Sequence, residues 1–84
     1  MEKKMKYEIK NFQNQDNEKL VGFWVINDNN QRLAIDKTVP IVDGKTNEQY
    51  IQEALILCQN EIAKWQESLL IVGRTWNPDT GSFE

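Results

Sequence analysis

The sequence offers few side chains of the types that carry out catalysis. Its 84 residues include no histidine, which is the most common general base and metal ligand of enzymes. The single cysteine, Cys58, could act as a nucleophile only if it were exposed beside an activating cation. Cys58 falls instead among apolar residues at helical spacing, so we expect a buried thiol.

Two short polar motifs could bind ligands, but each lacks a residue that its chemistry requires. Gly44-Lys45-Thr46 matches the end of a phosphate-binding loop, yet the first glycine of that loop would have to stand at Val39. A calcium loop starting at Asp28 would need a glycine where Leu33 stands. We therefore expect no cofactor, no metal and no small-molecule ligand, and we predict that the chain is not an enzyme.

The charge balance restricts the partners. Ten basic and 13 acidic residues give a formal net charge of −3 at pH 7, whereas nucleic acid and anionic membranes attract basic surfaces. A basic N-terminal strip is typical of the solvated face of an edge strand, and the alternative is contact with phosphate or an acidic partner; its members are Lys3, Lys4, Lys6 and Lys10. No apolar run is long enough to span a membrane, and no signal segment is visible. We expect neither nucleic acid nor a membrane as a partner.

One helix and a small sheet must position these residues. Between residues 46 and 68 the apolar residues recur in steps of four and three, which predicts an amphipathic helix. Its apolar face comprises Ile51, Leu55, Cys58, Ile62, Trp65 and Leu69. Thr46 and Gln49 fit a capping box at its start. A helix with one apolar face needs a surface to lie on, and the rest of the chain is expected to supply a sheet.

The predicted fold class is α+β, in a single domain over residues 1–84. We expect a small, mostly antiparallel sheet with the order β-β-β-α-β, a C-terminal hairpin, and one helix packed on one face. Residues 11–19 are polar and predict a loop, whereas Pro40 makes residues 39–42 an edge strand or a connector. Alternating or continuous apolar patterns predict the strands at residues 5–10, 20–26, 33–35 and 69–72.

The C-terminal hairpin has the clearest local pattern. Asn77 and Pro78 favour a turn, and Gly81 can supply the left-handed position that closes it. Trp76 and Phe83 would then face each other across the two strands.

Residues 72–83, Val-Gly-Arg-Thr-Trp-Asn-Pro-Asp-Thr-Gly-Ser-Phe, resemble the C-terminal ending of various small proteins encoded in phage and prophage genomes, often near tail genes. The resemblance covers only this segment and carries over no functional residues. It implies a phage or prophage protein, located in the cytoplasm of the host cell or in the virion. A single cysteine that cannot form an internal disulfide fits a reducing compartment.

The sequence thus predicts a non-enzymatic protein–protein interaction module, of a small phage or prophage accessory or virion-associated kind. The alternative is a small inhibitor that sequesters a host protein. A single helix covers one face of the sheet, so we expect the second strand to leave an apolar row on the other face, for a protein partner or a second copy in a homodimer. The length of the turn at residues 28–31 decides which residues of that strand face outward. The predicted partner surface comprises Val21, Phe23, Trp24, Val25, Ile26, Trp76 and Phe83, unless the hairpin folds over this face and seals it.

Overall fold

The computed structural model describes residues 4–84 and confirms the α+β fold. In chain order the elements are β1 Lys6–Gln15, β2 Glu18–Ile26, β3 Arg32–Pro40, α1 Asn47–Leu69, β4 Trp76–Asn77 and β5 Ser82–Phe83. The first three strands form one antiparallel sheet in the order β1-β2-β3, and β4 and β5 form a separate two-stranded sheet. The predicted C-terminal hairpin is therefore present, and β3 is an edge strand that ends at Pro40.

The first strand is longer than expected, and the loop predicted over residues 11–19 is wrong. β1 continues to Gln15 and turns through Asp16 and Asn17 into β2. Asp16 has a φ of 56°, which lets the chain reverse within this short turn. Residues 13–15 carry polar side chains, but they pair with residues 18–20 in the ladder. Backbone hydrogen bonding rather than apolar burial therefore extends the strand.

The register of β2 decides which of its side chains face the helix. Phe23 pairs with Ile35, and Val25 pairs with Leu33, so five residues separate the last paired positions, Ile26 and Arg32. With this odd-numbered connection, the side chains of Val21, Phe23 and Val25 point toward the helix, because opposed residues share a face. The side chain of Asn27 holds the connection, since its Oδ1 accepts from the backbone N–H groups of Asn29 at 3.0 Å and Gln31 at 2.9 Å.

The core lies between α1 and the inner faces of β2 and β3. It comprises Val21, Phe23, Val25, Ile35 and Val39 from the sheet and Tyr50, Ala54, Cys58 and Ile62 from the helix. The predicted capping box is confirmed: the backbone N–H of Gln49 donates to Thr46 Oγ1 at 3.2 Å, and the N–H of Thr46 donates to Gln49 Oε1 at 2.8 Å. The Tyr50 hydroxyl lies 3.0 Å from both the N and the O of Val42 and ties the β3–α1 connection to the helix.

The strand predicted at residues 69–72 is wrong. The helix continues to Leu69, and the backbone N–H groups of Ile71 and Val72 both donate to the Ser68 carbonyl at 3.0 Å. Gly73 follows with a φ of 91°, in the left-handed region, and sends the chain on to the hairpin. An apolar run becomes a buried strand only where a sheet edge lies within its reach, and here the chain turns tightly at the end of the helix instead.

The hairpin at the end of the chain makes the molecule long. The radius of gyration is 17.0 Å, and the principal extents are 58 × 28 × 16 Å. A compact domain of this length would have a radius of gyration of about 12 Å. The C-terminal residues therefore extend away from the sheet and helix rather than adding a layer to them.

Candidate interaction surface

The outer face of the sheet is centred on Trp24, one of the residues of the predicted partner surface. Trp24 is half-buried, and two cations flank its ring: Lys10 Nζ lies 6.0 Å and Arg32 Cζ lies 5.9 Å from the ring centroid. Cations at this distance are attracted to the face of an indole ring. The aliphatic stems of the two residues also shield part of the ring from water. Trp24 is consequently less exposed to solvent than it would be without these two neighbours.

A polar cluster crosses the outer face next to Trp24. Lys10 is the extra residue where the β1–β2 register shifts, and its Nζ lies 3.1 Å and 3.2 Å from the two carboxylate oxygens of Asp36. This pair spans the sheet above Gly22, where a Cβ atom would lie only 2.2 Å from Asp36 Oδ1. Glycine at position 22 thus makes room for the Lys10–Asp36 ion pair, and the ion pair holds Lys10 beside Trp24.

Ile26 faces the same side but is only 7% exposed. Lys6 and Arg32 are its neighbours on the adjacent strands. An open depression of about 310 Å³ adjoins it, lined by basic residues, Lys4 among them, and also by Glu8 and Asp28. The mixed charge of this lining does not define an anion site. Of the predicted basic strip, Lys4 and Lys6 are exposed, Lys10 is half-buried and pairs with Asp36, and Lys3 lies outside the described residues.

Three of the predicted surface residues are core residues instead. Val21, Phe23 and Val25 are fully buried beneath the helix. The reason is the odd-numbered connection between β2 and β3, which turns these side chains inward and leaves Trp24 and Ile26 on the outer face. They are not available to a partner in this fold.

The terminal hairpin does not seal the outer face. Trp76 and Phe83 pair edge-to-face, with their ring centroids 5.1 Å apart at an interplanar angle of 83°, and Arg74 Cζ lies 3.7 Å from the Phe83 centroid. These contacts hold the hairpin together locally. Within residues 4–84, the hairpin makes no extensive contact with the three-stranded sheet.

A run of exposed apolar residues follows α1, in part where the sequence predicted a buried strand. We call residues 70–83 the C-terminal arm. Four of its side chains are at least half exposed: Leu70 (69%), Ile71 (50%), Val72 (74%) and Trp76 (54%). Sequence reasoning included Trp76 but missed the other three, because a run of apolar residues resembles a strand. The position of this run could have indicated its exposure, because the run follows directly on a long helix and precedes a self-contained hairpin.

A second apolar surface remains open on β1. Tyr7 pairs with Val25 and Ile9 pairs with Phe23, so both face the helix side of the sheet. They are nevertheless 41% and 46% exposed, because the helix packs chiefly over β3 and β2. We call these two residues the β1 strip. The alternation that predicted this strand placed them correctly on one face, but the helix does not cover that face completely.

Two ion pairs lie on the side of α1 that is opposite to the β1 strip. Lys37 Nζ, on β3, donates to the Glu61 carboxylate, and Lys45 Nζ donates to that of Glu53. The hydrogen bond from Lys37 to Glu61 raises the pKa of this lysine above its ordinary value. Exposed pairs of this kind contribute little stability each. The position of the two ion pairs shows that α1 packs closer to β3 than to the β1 strip.

The residues considered for catalysis or ligand binding make contacts that stabilise the fold. Cys58 is fully buried in the core, and burial raises the pKa of its thiol. Lys45 and Thr46, from the incomplete phosphate-loop motif, serve as an ion-pair donor and a helix cap. Among residues 4–84, no group of three His, Cys, Asp or Glu side chains is placed to hold a metal ion.

Neither a protein-family model, nor a curated protein, nor a solved structure matches this chain. Over the part of the chain that the structure describes, no helix has the length and apolar character needed to cross a membrane.

Proposed function

We propose that this chain is a non-enzymatic protein–protein interaction module whose principal contact surface is the C-terminal arm. The observation that carries this proposal is the exposure of Leu70, Ile71, Val72 and Trp76 on one short segment. Together these side chains expose on the order of 400–500 Å² of largely apolar area. A patch of about 300–600 Å² is the largest that a typical monomer exposes, and such patches often bind a partner.

The internal order of the arm supports its role as a contact surface rather than as an unpacked tail. Its hairpin is ordered by its own contacts, because the side chain of Asn77 accepts from the N–H of Asp79 at 3.0 Å and Trp76 packs on Phe83. Its connection to the helix is a hydrogen-bonded turn. An ordered segment loses less conformational freedom on binding than a disordered one. The arm therefore presents its apolar side chains in a defined arrangement.

The outer face around Trp24 is a second, smaller contact surface in this proposal. The indole offers one apolar face framed by Lys10 and Arg32. A partner that placed an apolar group on the indole and a carboxylate beside Arg32 would match it. Replacement of Trp24 by serine tests this surface separately from the arm.

The biological setting that we propose is that of a phage or prophage accessory or virion-associated protein. Its support is the resemblance of residues 72–83 to the endings of small phage-encoded proteins, and this segment lies within the arm. A virion role predicts that the chain co-purifies with particles. A stoichiometric complex with one host enzyme, and none with particles, would support the inhibitor role instead.

Site-specific photo-crosslinking in the cells that naturally make the chain tests the proposal. A photoreactive residue at Val72 samples the arm, and the same residue at Ile56 is the matched control, because Ile56 is 61% exposed on the solvent side of α1. We expect a discrete crosslinked protein product from position 72 and none from position 56. An absence of crosslinks from positions 70, 71, 72 and 76 alike would refute the arm as a contact surface.

A further inference from the structure

We propose that the arm binds a second copy of this chain, and that the arm of each copy packs on the β1 strip of the other about a two-fold axis. This inference rests on the proposed function and names its partner. It assigns a role to Tyr7 and Ile9, which the fold leaves exposed on the helix side of the sheet.

The helix α1 covers the other two strands of the sheet but not the β1 strip. α1 covers β2 and β3, where Phe23 and Ile35 are buried, but the neighbouring Ile9 remains nearly half exposed. A sheet face opposite a helix is stabilised when apolar side chains cover its full width. A segment that covered the β1 strip would have to be apolar and would have to reach the side of α1 where the strip lies. The exposed residues of the arm have this composition.

The arm begins near the end of the sheet where β1 starts, and it leaves Tyr7 and Ile9 exposed. The C-terminal end of α1 meets the start of β1, where Gln66 Nε2 lies 3.4 Å from Met5 Sδ. From that end the arm projects outward, which accounts for the 58 Å length of the molecule. In a two-fold pair joined at this end, each arm starts close to the axis and reaches the strip of its partner over a short distance. A symmetric contact of this kind closes on itself and adds no further copies.

The exposed area is sufficient for a dimer. The arm offers on the order of 400–500 Å² and the β1 strip roughly 150–200 Å² of side-chain surface per copy. Because both surfaces are used twice in a two-fold pair, the total approaches about 1,200 Å², the lower end of the range for specific interfaces. Neither surface alone reaches that range.

Pairing along the β1 edge is the competing mode of self-association, and the register disfavours it. The extra residue Lys10 interrupts the regular spacing of backbone groups between Ile9 and Asn11. Bulges and edge lysines hinder the addition of another strand. Edge pairing would also leave the arm exposed, so the two modes respond differently to changes in the arm.

Sedimentation equilibrium of the full chain, with matched variants, tests the proposal. We expect a monomer–dimer equilibrium at micromolar concentration. Val72→Asp in the arm and Tyr7→Ser in the strip should each weaken dimerisation at least about tenfold, whereas Ile56→Asp on the solvent side of α1 should leave it unchanged. Ile9→Asp is the second strip variant, and thermal melts by circular dichroism verify that each variant folds.

A mixture of two variants distinguishes arm exchange from other dimers. The Val72→Asp copy keeps an intact strip, and the Tyr7→Ser copy keeps an intact arm, so a mixed dimer regains one of the two contacts. We expect the mixture to associate several-fold more tightly than either variant alone. An arm-to-arm contact would give no such recovery, and edge pairing would be insensitive to Val72→Asp; either result overturns the proposal.

A wild-type chain that remains monomeric at about 200 µM, a concentration well above the dissociation constants of most specific complexes, would also overturn it. That outcome leaves the proposed function standing if position 72 still crosslinks to a different protein. Loss of both dimerisation and crosslinking would refute the two proposals together.

Discussion

Replacing Ile62 by alanine tests how the fold is held together. Ile62 is the last of the buried residues along α1, is 3% exposed, and belongs to the same cluster as Phe23 and Cys58. The change removes three buried carbons, worth about 0.8 kcal/mol each in transfer free energy, or roughly 2.4 kcal/mol. The cavity left behind adds to this, so we expect a loss of about 3 kcal/mol in the free energy of unfolding.

Such a loss is large for a chain of this size. Typical domains are stabilised by about 0.05–0.15 kcal/mol per residue, or roughly 4–13 kcal/mol for this length. Urea unfolding of the Ile62→Ala chain, followed by circular dichroism, should show a midpoint lowered by about 1–3 M at an unchanged slope. Ile56→Ala is the control on the same helix, and its exposed side chain should change the midpoint little. Equal effects for the two variants, or a loss below about 0.5 kcal/mol for Ile62→Ala, would refute the assigned helix face.

Three further predictions follow from particular contacts. Gly81 has a φ of 66°, so Gly81→Val should abolish the ring-current shifts that the closed hairpin produces in NMR spectra, while Ser82→Ala should retain them; equal spectra would contradict this. Gly22→Ala should displace the Asp36 carboxylate from Lys10, because its Cβ meets Asp36 Oδ1, and since this exposed side chain can move, the free energy of unfolding should fall by no more than about 1 kcal/mol, and by less in an Asp36→Ala background; a double-mutant cycle with no coupling would contradict this. Burial raises the pKa of Cys58, so the stability contributed by its neutral thiol is fully present below the ordinary thiol value of 9.0 and is lost as the pH rises through the higher pKa of the folded state; the difference between the urea midpoints of the wild type and Cys58→Ala should therefore narrow as the pH rises from 9.0 through that pKa, and a difference that stays constant over this range would contradict this.

Local patterns in the sequence were sufficient to predict the helix and the hairpin. Thr46 and Gln49 form the capping box because both partners lie within one helical turn, and the hairpin depends on a turn that Asn77 and Gly81 close within a few residues. The second strand was likewise predicted from a continuous apolar run. In each case the deciding interactions are close in sequence.

The remaining features depend on interactions that are distant in sequence or on small differences in backbone geometry. The polar end of β1 is a strand because β2 lies beside it, and no side-chain pattern indicates that pairing. The outward face of β2 depends on the side chain of Asn27, which sets the length of the connection and so directs Trp24 away from the helix. The helix lies off-centre over the sheet, and this placement alone leaves the β1 strip open.

The exposed apolar surface was only partly predictable for the same reason. Apolar residues in excess of what one helix can cover are visible in the sequence, and exposed apolar side chains are present in the structure, although not along the second strand. The location of that surface is set by the end of the helix: Leu70, Ile71 and Val72 emerge from a turn instead of joining a sheet. The partner surface therefore stays a prediction: it keeps Trp24, Trp76 and Phe83, and it exchanges the buried Val21, Phe23 and Val25 for residues at the end of the helix.

We propose that the arm of one copy packs on the β1 strip of another. Isotope-filtered nuclear Overhauser spectroscopy tests it most directly, on an equal mixture of labelled and unlabelled chains at a concentration where the dimer forms. We predict intermolecular contacts between the Val72 methyl groups and the Tyr7 ring, which weaken on dilution. Contacts between these groups that are only intramolecular, or an absence of any contact between them, would contradict the account.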